Sequence, residues 1–558
     1  MSKLLDVIII GAGPTGLTAA IEAVRHGLSV RIVDKNDARS IYSKALVAHA
    51  RTLEVFHDMG LVDDVLASGQ IFTALNIYDQ NKSMARIVFE ELDWKDTLYP
   101  FWLSIPQSDT ERCLEEKLNQ LGVYVERKTE LYDIKQQADF VSVTLKQADG
   151  SHETVDASWV IGSDGARSTT RKLVNLHFEG HADDEIFILA DVKIESDLPE
   201  DEGYNILAAD GVVLIVPLPE PQYRRLIFHM PTLRPDQPPD ITLEMLQELM
   251  DKRTHFSMKL SDIGWTSHFS VKHFVVSKHR QGRVFLAGDA AHIHSPVGGQ
   301  GMNSGIQDAY NLIWKLALVQ HGQAKSILLD SFETERHQVA ENLIKRVSMA
   351  TQIITTNHPI SQSLRNRIGN ILINTDLVQN QLGRNVAMLN IHYQESPVVS
   401  QDVVDDLSIK KVLHTLSRNS NDFHNAPKAG YRAPNVIIQA DGETVRESLF
   451  DHFHGIHHTL LIFMGQEDAA SMKTLSMIAE HVKGQYKAPI RPLIIANKDY
   501  IANEQSPSVI VDTNNRIHQT YRAAQSCLYL IRPDTHIAYR NQQLQLDALT
   551  KYLDRILI

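Results

Sequence analysis

Gly11-Ala12-Gly13-Pro14-Thr15-Gly16 narrows the possible folds of this chain more than any other feature. It follows the apolar, β-branched run Val7–Ile10 and precedes an Ala/Leu-rich stretch, Leu17–His26, which Gly27 stops. Ser29–Val33 then reads as a second strand that ends at Asp34, 18 residues beyond Gly16, with Lys35 next. Strand, glycine turn, helix and strand in this order build a parallel sheet that holds a dinucleotide at the turn. Gly11 permits the tight turn, Gly13 lets backbone approach a pyrophosphate, and Gly16 lets helix and strand pack closely. Pro14 and Thr15 open the helix, whose free N–H groups and positive dipole end favour phosphate. Asp34 is placed to accept from ribose hydroxyls.

The rest of the 558 residues limits the partners. Asp and Glu outnumber Lys and Arg, 68 to 55, for a formal charge of −13. Phosphate backbones need clustered cations, so nucleic acid is not an expected partner. No run of 18 apolar residues is present, so no membrane span is expected, and the N-terminal apolar run enters a glycine turn rather than a cleavage site. Cys113 and Cys527 are the two cysteines. They exclude a disulfide scaffold and a cysteine-built metal centre, and fit a reducing cytoplasm. No metal is expected. His452, His454, His457 and His458 crowd one stretch and read as a solvated turn before a metal site.

Further along, Lys44–Met59 and Asp109–Leu121 read as helices. Leu131–Gln136 and Val141–Gln147 read as a strand meander, and Val155–Gly162 as a returning strand. Phe187 to Phe228 is β-patterned, with Trp265–Phe274 as a further strand. Phe187, Tyr204, Phe228 and His229 are candidates to line a substrate site, against the plainer reading of core packing. Val284–Ala287 runs into the glycine loop Gly298–Gly301. Ser304–Gln320 and Leu328–Met349 read as helices, and Gln379–Ala429 as a linker. The last ~130 residues alternate strand and helix and have the size of a separate domain.

Two more segments sharpen the dinucleotide: Gly162-Ser163-Asp164-Gly165-Ala166-Arg167-Ser168, and Gly288-Asp289-Ala290-Ala291-His292 with Pro296, Gly298, Gly299, Gln300, Gly301, Met302 and Asn303 after it. Together with the N-terminal glycines they resemble the class A FAD-dependent monooxygenases, the aromatic-ring hydroxylase family. The pattern within it is similar to phenol, phenylpropionate and polyketide hydroxylases with a C-terminal thioredoxin-like domain. The resemblance spans roughly Val7–Met349. Arg51-Thr52-Leu53-Glu54 and Gln107 also look like family positions.

This resemblance implies an α/β chain: a Rossmann-like FAD-binding domain from 1–70, 100–180 and 275–350, interleaved with a β-sheet substrate domain from 71–99 and 181–274. A helical segment and linker (351–425) and a thioredoxin-like α/β domain lacking CxxC (426–558) follow. Asp289 is expected to hold the ribityl chain and Asp164 and Gly165 to lie near the pyrophosphate. Gln107, with Arg112, is expected to contact the flavin, and Gly288 to form the loop that carries Asp289. Lys44 stands where the family often has Arg, which keeps the charge and loses the planar fork. Pro296, Gly298 and Gly299 form the flavin environment: Pro296 against the ring, and the glycine loop with its helix start facing negative charge on the reduced flavin. His292 and His294 beside it are read as packing groups before acid or base.

The implied reaction is NAD(P)H-driven insertion of one oxygen atom from O2 into an aromatic, phenolic or polyketide-like molecule through a flavin C4a-hydroperoxide. A same-fold flavin halogenase or reductase, and a non-catalytic flavin-binding protein, are the alternatives. Phe101-Trp102-Leu103-Ser104-Ile105-Pro106 shares only part of the halogenase WxWxIP stretch. The C-terminal unit, without a dithiol, is read as structural or as a homodimer contact.

Overall fold

The computed structural model describes residues 4–40, 45–234, 239–295, 298–355, 375–403, 423–438, 447–466, 469–500 and 509–558. Lys44 and Pro296 lie outside them. Leu5–Ile10 is a central strand, paired in parallel with Val30–Val33 on one side and His152–Gly162 on the other. Strands covered on both faces need continuous apolar sequence, which explains Val7, Ile8 and Ile9, all fully buried. Val284–Leu286 and Arg280–Gln281 extend the sheet past His152–Gly162, and the hairpin Glu130–Gln136/Val141–Lys146 joins it from the side.

Helix Pro14–Arg25 crosses one face of this sheet and packs on the long helix Gly301–Gln320. The long helix begins at Gly301, three residues before the expected Ser304. Gly301 and Asn303 have low helix propensity, but tertiary packing decides the start. The expected helix Lys44–Met59 is also shortened to Ala50–Asp58. Val47–Ala48 instead pairs with Trp102–Ser104, which pairs in turn with Gln70–Phe72. Leu328–Met349 is interrupted: Ile327–Phe332 is α-helical, Glu333–His337 is a π turn, and Gln338–Thr355 resumes the α-helix.

A second sheet of eight strands stands over the first. Its spine is the antiparallel pair Phe178–Glu195 and Lys259–Val276, with Tyr223–Met230, Gly211–Pro217, Glu202–Ala208, Ala74–Asp79 and Lys82–Val88 following in order. At its other edge His292–Ile293 pairs with Phe274 and Val275. The segment after Asp289 therefore leaves the first sheet and enters the second, so the loop between them faces both.

The C-terminal sheet has the order Ser400–Asp402, Ile537–Asn541, Leu528–Ile531, His458–Phe463, Ile490–Asn497, Val509–Asp512. It is not a separate bead. Trp314, Leu318, Ala324 and Leu328 from the long helix, its successor and the turn between them share one core with Leu460, Leu530, Leu549 and Leu553. Polar groups close the same junction. Arg532 pairs with both oxygens of Glu335 at 2.7 and 2.9 Å, and Lys315 with Glu335 at 2.7 Å, all of them buried. The Arg51 guanidinium reaches the Asp534 carbonyl at 2.7 Å and the Thr535 hydroxyl at 2.9 Å. The histidine-rich stretch belongs to this junction and is no solvated turn: His458 is buried edge-on to Trp314, and the His454 ring lies 4.7 Å from that of His57. Among the described residues, no helix is long and apolar enough to cross a membrane.

Candidate functional site

Between the two sheets lies a cavity of about 2070 Å³. That is about twice the upper end of ordinary small-ligand pockets. One end is a glycine cradle and the other an apolar chamber. Gly13, Pro14, Thr15, Gly165, Asp289 and Gly298 to Met302 line the cradle.

The glycines there divide into two kinds. Gly16 serves the fold: a Cβ would sit 1.9 Å from the Gly11 carbonyl oxygen. Gly11, at φ +103°, would bring one within 2.5 Å of Ser163 O, and Gly288, at φ +61°, within 2.5 Å of the Thr15 hydroxyl. Among the described residues, a Cβ at Gly13 or Gly165 would meet no atom within 4 Å. Gly13 has an ordinary φ of −80° as well. Neither packing nor backbone strain requires its small size, so the space beside it suits a ligand that approaches the backbone. A dinucleotide fits this cradle, with its phosphates at the start of helix Pro14–Arg25.

Several expected contacts are spent inside the protein. Asp34 accepts the amides of Ala12 and Asn36, each at 2.8 Å, and so braces the glycine turn. Lys35 beside it is exposed. Asp164 accepts from the amides of Thr169 and Thr170 at 2.7 and 2.9 Å. It caps the following short helix, and its neighbours Gly165 to Arg167 are what line the cavity. Asn303 donates to the Val47 and Gly299 carbonyls at 2.7 Å and accepts the His49 amide at 2.9 Å. It holds the glycine loop and is absent from the cavity wall. Gln300 lines the wall, but its side-chain amide turns to the Asn385 and Val386 carbonyls. Gln107 lines the cavity and donates to Glu111 at 2.9 Å. Arg112 faces away, donating to the Ser68 hydroxyl and to Glu116. Asp289 is exposed into the cradle.

The loop over the flavin end is held from beneath by residues that the motifs did not single out. His49 is fully buried, and its Nε2 lies 2.8 Å from the Gly298 carbonyl. Burial pushes its imidazole down to about 4, so it is neutral and donates there. Gly298 and Gly299 take φ +85° and +63°, conformations favoured by glycine. Helix Gly301–Gln320 starts at once, so its positive end faces the cavity. Under the Gly288 turn, Asp308 accepts the Gly288 amide at 2.9 Å and pairs with the Arg336 guanidinium at 2.6 Å and His292 Nε2 at 2.7 Å. Despite burial, Arg336 and then His292 hold the Asp308 carboxyl well below its usual range. His292 is thus a structural partner. His294 lines the cavity, and burial lowers it to about 4. Asp308 sits mid-helix in a buried face. That unusual placement was its one sequence signal.

The chamber is walled by Phe187, Leu189, Leu214, Ile227 and Phe269 from the eight-stranded sheet and by Trp102. Phe187 stacks on Phe269, centroids 5.4 Å apart. Of the four candidate lining residues, Phe187 alone reaches the cavity. Side chains alternate along a strand. Ile227 therefore faces the cavity and Phe228 the opposite core, where Tyr204 also packs. His229 stacks behind Phe187. Arg225 is buried, lines the cavity, and is held by Asp191 at 2.6 and 2.8 Å. Helix Gln338–Thr355 adds a further wall, with Gln338, Asn342 and Arg346 as polar groups.

Comparison with known proteins agrees with this geometry. The FAD-binding domain family profile matches residues 4–347. The chain is 31% identical to 6-methylpretetramide 4-monooxygenase of Streptomyces rimosus, over 99% of this chain and 93% of that one. It is 28% identical to pentachlorophenol 4-monooxygenase of Sphingobium chlorophenolicum, over 99% and 96%. The fold is similar to that of aklavinone-11 hydroxylase solved with FAD and aklavinone, TM-score 0.75 at 23% identity, covering 100% of this chain and 99% of that one.

Proposed function

We infer the finer chemistry from one premise: the chain belongs to the FAD-binding class A monooxygenases, enzymes that hydroxylate aromatic or polyketide compounds. On that basis, the electron donor is NADPH or NADH and the substrate is a multi-ring aromatic of polyketide type. One observation carries the substrate reading. A single cavity of about 2070 Å³ joins the cradle to an apolar chamber, leaving room for a second bulky ligand. The similarity to 6-methylpretetramide 4-monooxygenase over nearly the full length of both chains supports it. The absence of a second GxGxxG from the sequence supports a donor that visits without its own Rossmann unit.

The bound FAD supplies the redox chemistry and the oxygen transfer. The residues of this chain supply place, charge and dryness. Gly13, Gly165 and the start of Pro14–Arg25 would hold the phosphates, and Asp289 would hold the ribityl chain. Gly298 to Met302, braced by His49 and Asn303, present a helix N-terminus to the negative charge of the reduced ring. That dipole is worth about 0.3–2 kcal/mol. Phe187, Phe269, Leu214 and Ile227 exclude water around the reacting ring, which keeps reduced oxygen from being lost as peroxide. Arg225, Asn342 and Arg346 are placed to meet phenolic or carbonyl oxygens of the substrate.

Oxygen uptake with each nicotinamide tests this across a panel of single-ring phenols and multi-ring polyketides, with product mass as the readout. The expected result is a gain of one oxygen on multi-ring compounds. Turnover confined to single-ring phenols would overturn the substrate reading, and would instead match the likeness to pentachlorophenol 4-monooxygenase.

A further inference from the structure

The π turn Glu333–His337 interrupts an otherwise α-helical run. Such turns are rare and gather at functional sites. Opposite this one stands His279, fully buried, at the edge of the flavin sheet. Its Nδ1 lies 3.9 Å from Glu333 Oε1, and His337 Nδ1 lies 3.8 Å from the same oxygen. The two rings meet edge-on with centroids 5.4 Å apart. Among the described residues, neither nitrogen of His279, nor Nδ1 of His337, has a hydrogen-bond partner. A buried neutral imidazole ordinarily donates at one nitrogen and accepts at the other. Two orphaned ring nitrogens facing one carboxylate oxygen call for an explanation.

We propose that His279, Glu333 and His337 bind a divalent transition-metal ion, with Zn2+ the best match to two imidazoles and one carboxylate. Zinc takes such ligands at about 2.0–2.2 Å, which separates tetrahedral ligand atoms by about 3.3–3.6 Å. The observed 3.8 and 3.9 Å close to that range with shifts of a few tenths of an ångström.

The surroundings have the other parts a metal site needs. The second oxygen of Glu333 accepts the His279 amide at 2.7 Å, which fixes the carboxylate. His337 Nε2 lies 3.5 Å from Glu341 Oε1, the outer carboxylate that commonly orients a ligating imidazole. Glu333 and His337 are 32% and 26% exposed, which gives the ion an entry path and water a fourth position. A rival group, His57, Asp451 and His454, brings His57 Nε2 within 3.4 Å of Asp451 Oδ1, but it has no buried ring nitrogen without a partner among the described residues. An ion at His279 would pin the flavin sheet to helix Gln338–Thr355, whose Gln338 and Asn342 line the cavity.

The test uses the full-length, FAD-loaded protein, stripped with a chelator, dialysed and titrated with Zn2+ by calorimetry, with metal analysis afterwards. One ion per chain is expected. Glu333→Gln and His337→Ala, both at part-exposed positions, should lose it, and Glu341→Gln should bind about 10–100-fold more weakly. His454→Ala should bind as wild type. Flavin absorbance and circular dichroism establish that each variant is folded. No stoichiometric zinc in the wild type, wild-type binding by a folded His337→Ala, or loss of the ion in His454→Ala would each overturn the proposal. None of these readouts depends on turnover, so the assignment stands or falls apart from the substrate reading.

Discussion

Asp308 and Arg336 form a buried ion pair, 2.6 Å between Oδ1 and Nε, and the other carboxylate oxygen accepts the Gly288 amide at 2.9 Å. A mid-helix carboxylate thereby sets the turn that carries Asp289 into the cofactor cradle. Removing one partner of a buried pair leaves an uncompensated charge, at a cost of about 3–5 kcal/mol. Asp308→Asn is therefore expected to lower the melting temperature and the flavin content together. Thermal melts and the ratio of flavin to protein absorbance measure both.

Gly13 and Gly16 should separate by phenotype. A Cβ at Gly13 enters only the cavity, and its backbone suits an L-residue. Gly13→Ala should leave the flavin-free fold unchanged, or more stable by up to about 1 kcal/mol, while FAD affinity drops. Gly16→Ala drives a Cβ into the Gly11 carbonyl and should cost about 1–3 kcal/mol in flavin-free protein. Denaturant melts of the two apoproteins provide the comparison. Equal stability losses would contradict this division of roles.

Leu214 and Ile227 are directly opposed on neighbouring strands and both face the chamber. Leu214→Trp should raise KM for a bulky aromatic substrate and increase peroxide release, with flavin content unchanged. Steady-state kinetics with peroxide detection reads all three.

Acid should unfold this protein early. Burial lowers His49, His294 and His536 to about 4, and His26 and His458 to about 3. Each is neutral in the folded chain where an unfolded imidazole, at about 6.5, takes a proton. Their contribution is intact above pH 6.5. It is lost as pH falls from there toward 3–4, by up to about 1.4 kcal/mol per pH unit for each group. Denaturant midpoints between pH 7.5 and 4.5 should fall steeply. A flat profile would count against neutral burial of these rings.

Glu335 joins the long helix to the C-terminal sheet through Arg532 and Lys315. Although burial works against its charge, Arg532 first and then Lys315 hold its carboxyl down to about 2. Glu335→Gln leaves two buried cations short of an anion and is expected to cost about 3–5 kcal/mol. Calorimetry should also resolve two transitions where the wild type, with its shared core, shows one.

The N-terminal strand, glycine turn and helix were legible in the sequence because their causes are local. Gly16 is required by the Gly11 carbonyl of the same turn, and Val7–Ile9 are apolar because strands bury both faces; Gly11 is required by Ser163, which only the folded sheet brings beside it. The segments at Gly162 and Gly288 could be read because each begins at the end of a predicted strand. The side chains at Asp34, Asp164 and Asn303 marked the right places, but the structure spends them on bracing the loops. Sequence named the loops, and it could not tell which polar groups satisfy the backbone and which face the ligand. Phe228 and Ile227 are adjacent and chemically alike, and only strand register decides which one meets the cavity. His49 with Gly298, Asp308 with Gly288, and His279 with Glu333 are pairs separated by tens to hundreds of residues. No spacing rule announces them, because packing of two sheets and a long helix brings them together.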